Sequence, residues 1–169
     1  MADIPLSREE LDEVLFQSMR AIYFFEREKV RRFGLSFMAI YVLQLLRRHS
    51  PLRMRDVVEE LGIPFSSATR LIARLENMKF VERVSTEDDR RGVSIHLCDA
   101  GNDVIRSIED DSFFLISKNI SDFSGDSISG FIETARNMGK ILSVDGANKS
   151  SLNRQGAADT DRLEIKGKG

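Results

Sequence analysis

The sequence predicts a mainly α-helical, α+β fold, and three observations predict it. Apolar residues recur at helical spacing through most of residues 7–143. Two short amphipathic segments meet at Gly62-Ile63-Pro64. Two alternating segments, 80–84 and 93–97, bracket a charged tip, as in a β-hairpin.

Composition supports a soluble globular chain. Of 169 residues, 41% are hydrophobic and 31% charged, which excludes collagen-like and wholly disordered chains. The single cysteine excludes an intrachain disulfide framework and a cysteine-built metal site. The net charge of −2 excludes a polybasic coat. It does not exclude a local basic face, and residues 47–98 carry ten basic against eight acidic side chains. The start, Met1-Ala2-Asp3-Ile4-Pro5, lacks the basic-then-apolar plan of a signal peptide. No apolar run reaches the ~20 residues of a membrane span. The expectation is a cytoplasmic protein with no membrane partner.

The first helix begins at a capping box. Ser7 caps, Glu10 reaches back, and Leu6 with Leu11 form the staple. Leu11, Val14, Leu15, Ala21, Ile22 and Phe25 form a stripe, widened by Phe16, Met19, Tyr23 and Phe24. A helix to about Arg32 exceeds six turns at about 3.6 residues per turn. Its apolar surface suits a core helix or a helix buried partly against a second subunit. Gly34 ends it, and Ser36 caps a second helix that is apolar almost all round from Phe37 to Leu46. Arg47-Arg48-His49 closes that helix, where basic residues suit the negative dipole end. His49 stands without a nearby histidine or cysteine and reads as a helix-end residue, not a ligand.

Met54, Val57, Val58 and Leu61 give a short amphipathic helix, broken at Gly62. A further helix is expected from about Phe65 to Met78. Ala68, Leu71, Ile72, Leu75 and Met78 share one side of its wheel; Ser66, Thr69, Arg70, Ala73, Arg74 and Asn77 share the other. Two short helices across a Gly turn make a helix-turn-helix. The outward face offers small residues for close approach, hydroxyls, and arginines that can grip guanine in a major groove. Arg70 and Arg74 could instead be solvated helix residues, but they share their face with Ser66 and Thr69.

Phe80 to Val84 and Val93 to Leu97 read as strands around the tip Thr86-Glu87-Asp88-Asp89-Arg90-Arg91-Gly92. His96 falls on the polar side of the second strand. Asp99 is a candidate cap for a helix over about 100–122, with Val104, Ile105, Ile108, Phe113, Phe114 and Ile116 among its apolar residues. After the break at Ser124-Gly125-Asp126, a last helix carries a stripe of Ile128, Phe131, Ile132, Ala135, Met138 and Leu142. Residues 145–169 are polar and glycine-containing, the composition of a disordered tail.

This order resembles a winged helix-turn-helix domain flanked by dimerisation helices, the plan of the MarR family of bacterial transcriptional regulators. The resemblance spans about residues 7–143. It rests on Val57 to Ile63, on Ser66 to Glu76, on Phe80-Val81-Glu82-Arg83, and on Asp88-Asp89-Arg90-Arg91 followed by Val93, Ile95, Leu97 and Gly101. It implies an N-terminal dimerisation helix over 1–35, a DNA-binding domain over 36–98 and dimerisation helices over 99–144. It implies double-stranded DNA as partner, a homodimer, and a small, often aromatic, effector, with no cofactor otherwise. The implied DNA-binding residues are Ser66, Ser67, Thr69, Arg70, Ala73, Arg74, Asp89, Arg90 and Arg91. By the resemblance Arg91 would enter the minor groove while Asp89 holds an arginine; Arg90 would touch phosphate or pair with the acidic tip. The implied dimerisation residues are Leu11, Leu15, Ile22, Phe113, Phe114, Phe131, Ile132 and Ala135. Three positions depart from the pattern. Pro64 replaces a capping residue, Lys79 replaces a glycine and would need a left-handed backbone, and Cys98 replaces a threonine, leaving Asp99 to cap.

Other function classes fit less well. The chain has no phosphate loop, no His-Glu-x-x-His pattern and no Gly-x-Ser-x-Gly elbow, so no enzyme is expected. Cys98, at a strand end beside Asp99, reads as a passive small residue, not a redox sensor. The alternative to a DNA-binding repressor is a non-catalytic adaptor that uses the same fold for protein contacts.

Overall fold

A computed structural model describes residues 5–85 and 93–142. The tail expected over 145–169 lies outside the described residues. The chain divides into two compact units, 1–41 and 42–169.

In the first unit, α1 spans Arg8–Phe33. Its start is the expected capping box. The Ser7 N–H donates to Glu10 Oε2 at 2.8 Å, and the Glu10 N–H donates to Ser7 Oγ at 3.2 Å. The first of these bonds favours ionised Glu10, whose pKa falls below its ordinary value, first through the Ser7 backbone N–H and then through the Ser7 hydroxyl. Lys29 is the one buried charged residue among those described. Its Nζ pairs with Glu26 at 2.6 Å and lies 4.3 Å from the Phe25 ring centre, so the ammonium is compensated twice. Gly34 ends the helix at φ 66°, a left-handed value that suits glycine. The Ser36 hydroxyl then accepts from the Ala39 N–H at 3.2 Å. Helix α2, Phe37–His49, carries the chain into the second unit.

The second unit continues with β1 (Leu52–Arg53), α3 (Met54–Leu61), α4 (Phe65–Asn77), β2 (Val81–Val84), β3 (Ser94–Leu97), α5 (Asp99–Ile120) and α6 (Gly125–Ile141). The strands form an antiparallel sheet in the order β1-β3-β2. The hairpin was expected; β1 was not. It pairs Leu52 with Ile95 and Arg53 with Ser94, so β3 sits in the middle of the sheet. Val42, Leu43, Leu46, Leu52, Val57, Ala68, Ile72, Leu75, Val81, Ile95, Ile105 and Ile108 are all buried. Arg47 ties α2 to α5 through Glu109, at 3.0 Å, and Asn102.

Two helix ends depart from expectation. Helix α4 stops at Asn77, and Met78 is exposed instead of joining the buried stripe. The reason is the turn that follows. The Lys79 N–H donates to the Glu76 carbonyl at 2.9 Å and the Phe80 N–H to the Leu75 carbonyl at 3.0 Å. Lys79 takes φ 61°, the left-handed conformation anticipated for it. These bonds form a Schellman motif with lysine where glycine is usual. The second departure is at α5, where Cys98 is the N-cap and Asp99 the first helical residue. The Cys98 side chain makes no capping bond; its N–H donates to the Phe80 carbonyl at 3.0 Å. Asp99 instead puts negative charge in the first turn, at the positive end of the helix dipole. Gly101 lies so close to Phe80 that a Cβ there would collide with its carbonyl and stand 2.8 Å from Leu97 Cδ1.

Candidate nucleic-acid interface

Helix α4 sets the geometry of the site. Ala68, Ile72 and Leu75 are buried, which fixes the helix's rotation and turns the opposite side outward. Ser66, Arg70 and Arg74 are exposed on that side, with Ser67, Thr69 and Ala73 half-buried at its margins. Among the described residues, no hydrogen bond or ion pair occupies the side chain of Arg70 or Arg74. The Thr69 hydroxyl donates back to the Phe65 carbonyl at 2.9 Å. Asp89, Arg90 and Arg91 lie outside the described residues.

Arg83 is the residue that sequence reading missed. It stands opposite Ile95 in the β2–β3 register, so the two side chains share a sheet face, and Ile95 is buried. From there Arg83 Nη2 donates to the Thr69 carbonyl of α4 at 3.1 Å. Its Nε is buried without a hydrogen bond among the described residues and lies 3.5 Å from Glu76 Oε2. The guanidinium thus fastens the sheet to two turns of α4. Strand alternation held the signal, since it puts Arg83 on the same side as buried Val81.

Arg53, Met54, Arg55, Phe65, Thr69, Arg83 and Val93 line a cleft of about 360 Å³ between the start of α4 and the sheet. The start of α3 is held by Asp56, whose carboxylate accepts from the Arg53 N–H at 3.1 Å. Cys98 is half-buried, and its thiol is pushed up first by burial and then by Glu82 and Asp99. That opposes the thiolate a redox sensor needs. No group of three metal-ligating side chains occurs among the described residues.

The expected dimerisation residues are solvent-facing in the single chain. Leu15, Ile22, Phe113, Phe114, Phe131 and Ile132 are exposed, as is Ala135, while Leu11 is half-buried. No helix among the described residues is long and apolar enough to cross a membrane.

Comparison with known proteins places this geometry. The MarR family matches residues 33–92. The HTH-type transcriptional regulator YfiV of Bacillus subtilis is 29% identical over 53% of this chain, and the match spans 56% of YfiV. The HTH-type transcriptional regulator MgrA of Staphylococcus aureus is 27% identical over 84% of this chain and 94% of its own length. A MarR family protein from Bacillus stearothermophilus has the same fold, with a TM-score of 0.73 at 20% identity over 84% of this chain and 99% of that one. Streptococcus pneumoniae FabT, solved in complex with DNA, aligns with a TM-score of 0.66 at 21% identity over 81% and 98%. With its helix-turn-helix packed on a small antiparallel sheet, a family model matched over residues 33–92 and regulators as relatives over most of its length, the chain is similar to the MarR family of transcriptional regulators.

Proposed function

We propose that the protein is a repressor that binds a pseudo-palindromic operator as a homodimer. The observation that carries this reading is the outward face of α4. Arg70 and Arg74 stand there exposed and without partners among the described residues, on a helix whose rotation the core fixes. Such arginines can grip guanine bidentately, and Ser66, Ser67 and Ala73 leave room for close approach to base edges. In this reading, which for these three residues rests on the family resemblance, Arg91 enters the minor groove, Asp89 holds an arginine, and Arg90 touches phosphate or pairs with the acidic tip. The exposed apolar residues of α1, α5 and α6 support a two-fold dimer, since such patches are rare on monomers. Half-sites then lie one helical turn apart, about 10 bp. Release by a small aromatic ligand belongs to the same reading and rests on the family alone.

The test is a titration of wild type, Arg70→Ala and Arg91→Ala on duplexes selected from genomic fragments and on scrambled controls. Arg70→Ala is expected to cost about 1–3 kcal/mol per half-site and to relax preference at one base. Arg91→Ala is expected to weaken binding while leaving major-groove preference intact. With about 6–10 phosphates neutralised, affinity should fall by about 10³–10⁵ between 50 and 200 mM salt. If neither variant changes affinity for the selected duplex, the assigned face is wrong. If wild type binds no duplex at low salt, the protein acts as an adaptor.

A further inference from the structure

The leading edge of α4 carries a residue that the DNA-facing set above omits. Phe65 is the first residue of the helix and is 61% exposed. An aromatic side chain in that position does not contribute to the core formed by Ala68, Ile72 and Leu75. At helical spacing, Phe65, Thr69 and Ala73 form one column, four residues apart, beside the column that holds Ser66 and Arg70. The Thr69 hydroxyl already donates its hydrogen bond to the Phe65 carbonyl at 2.9 Å. Thr69 therefore has no hydroxyl hydrogen to donate to a base, and its methyl group becomes its apolar asset. The two columns differ in chemistry. One offers a ring, a methyl and a Cβ; the other offers a hydroxyl and a guanidinium.

We propose that Phe65, with the Thr69 methyl beside it, reads the C5-methyl group of one thymine in each half-site. This rests on the reading of α4 as a major-groove helix. The thymine methyl is the apolar feature of the major-groove edge, and apolar side chains recognise it by contact. Residues at the start of a recognition helix are those that reach base edges. Basic side chains stand around Phe65: Arg53 and Arg55 line the same cleft, and Arg70 lies just over one turn along the helix. Arg70 and Phe65 would thus read different bases by different means.

Replacing thymine by deoxyuridine removes the methyl and keeps the pairing, which isolates this contact. The probe is the duplex that wild type selects from a randomised library, with each thymine replaced singly. Wild type should lose about fourfold in affinity at one thymine per half-site, the worth of about one buried methyl. Replacing both symmetry-related thymines should cost about fifteenfold. Phe65→Ala should bind the two duplexes equally while keeping its guanine preference. Phe65→Leu, which restores an apolar side chain, should regain most of the sensitivity. Wild type indifferent to every replacement, or Phe65→Ala as sensitive as wild type, overturns the proposal. So does a large fall in the melting temperature of Phe65→Ala, which would mean the ring is packed inward. In each of these cases wild type still binds a selected duplex, and the regulator reading stands. If wild type selects no duplex, that reading fails and this one with it.

Discussion

Helices α4 and α6 are both amphipathic, yet the chain treats their apolar stripes in opposite ways. Ala68, Ile72 and Leu75 of α4 are fully buried, whereas α6 has no buried residue and leaves Phe131 65% exposed. Helix α5 contains both behaviours. Ile105 and Ile108 are buried near its start, and Phe113 and Phe114 are exposed farther along. The lesson is that periodicity shows that a face needs cover without showing what supplies it. Around α4 the cover comes from neighbouring elements of the second unit. The exposed residues of α6 point to a cover outside the single chain.

The largest expected effect comes from emptying the covered face. Leu75→Ala should cost about 2–5 kcal/mol, read from the denaturation midpoints of variant and wild type at one protein concentration. The uncovered face should respond differently. Phe131→Asp should leave the winged-helix core folded by circular dichroism. It should raise the dimer dissociation constant at least about tenfold in sedimentation, the scale of losing one interface anchor. A wild type that sediments as a stable folded monomer at micromolar concentration would break the comparison.

Smaller effects sharpen it. Arg83→Met removes the bond to the Thr69 carbonyl and the contact with Glu76, and should cost about 1 kcal/mol because the guanidinium is partly exposed. Hydrogen exchange should then quicken along α4 while α6 stays unchanged. The smallest effect is at the start of α1. Glu10 has its pKa lowered below 4.5 by Ser7, so its contribution is fully present above that pH. The contribution is lost as pH falls through the lowered value, and Glu10→Ala should abolish that part of the acid dependence. Equal acid limbs for variant and wild type would show that the box does not couple to folding.

The sequence exposes what is local. Ser7 with Glu10, Gly34 and Gly62 each mark a helix end within a few residues, and each holds in the structure. The hairpin strands show through alternation. Strand β1 does not, because two residues carry no periodicity and its partner lies more than forty residues away. Met78 misled the wheel because a Schellman turn ends the helix one residue earlier, and that turn relies on Lys79 in a conformation glycine usually takes. Cys98 and Asp99 exchanged roles because the cap position depends on where Phe80 holds the Cys98 N–H. Within the candidate site, the outward residues of α4 were legible as one face of a wheel. Arg83 was not, since its target is a backbone carbonyl fourteen residues back, and backbone carbonyls are the same in every sequence.

Arg70 and Arg74 hold nothing else together among the described residues, while the buried side of the same helix and Arg83 keep it in place. In evolutionary terms this separates grammar from vocabulary. Substitutions at these arginines leave the scaffold's stability nearly untouched, as is usual for exposed residues without partners. A lineage can therefore change which sequences it recognises one side chain at a time. It need not pass through a misfolded intermediate to do so.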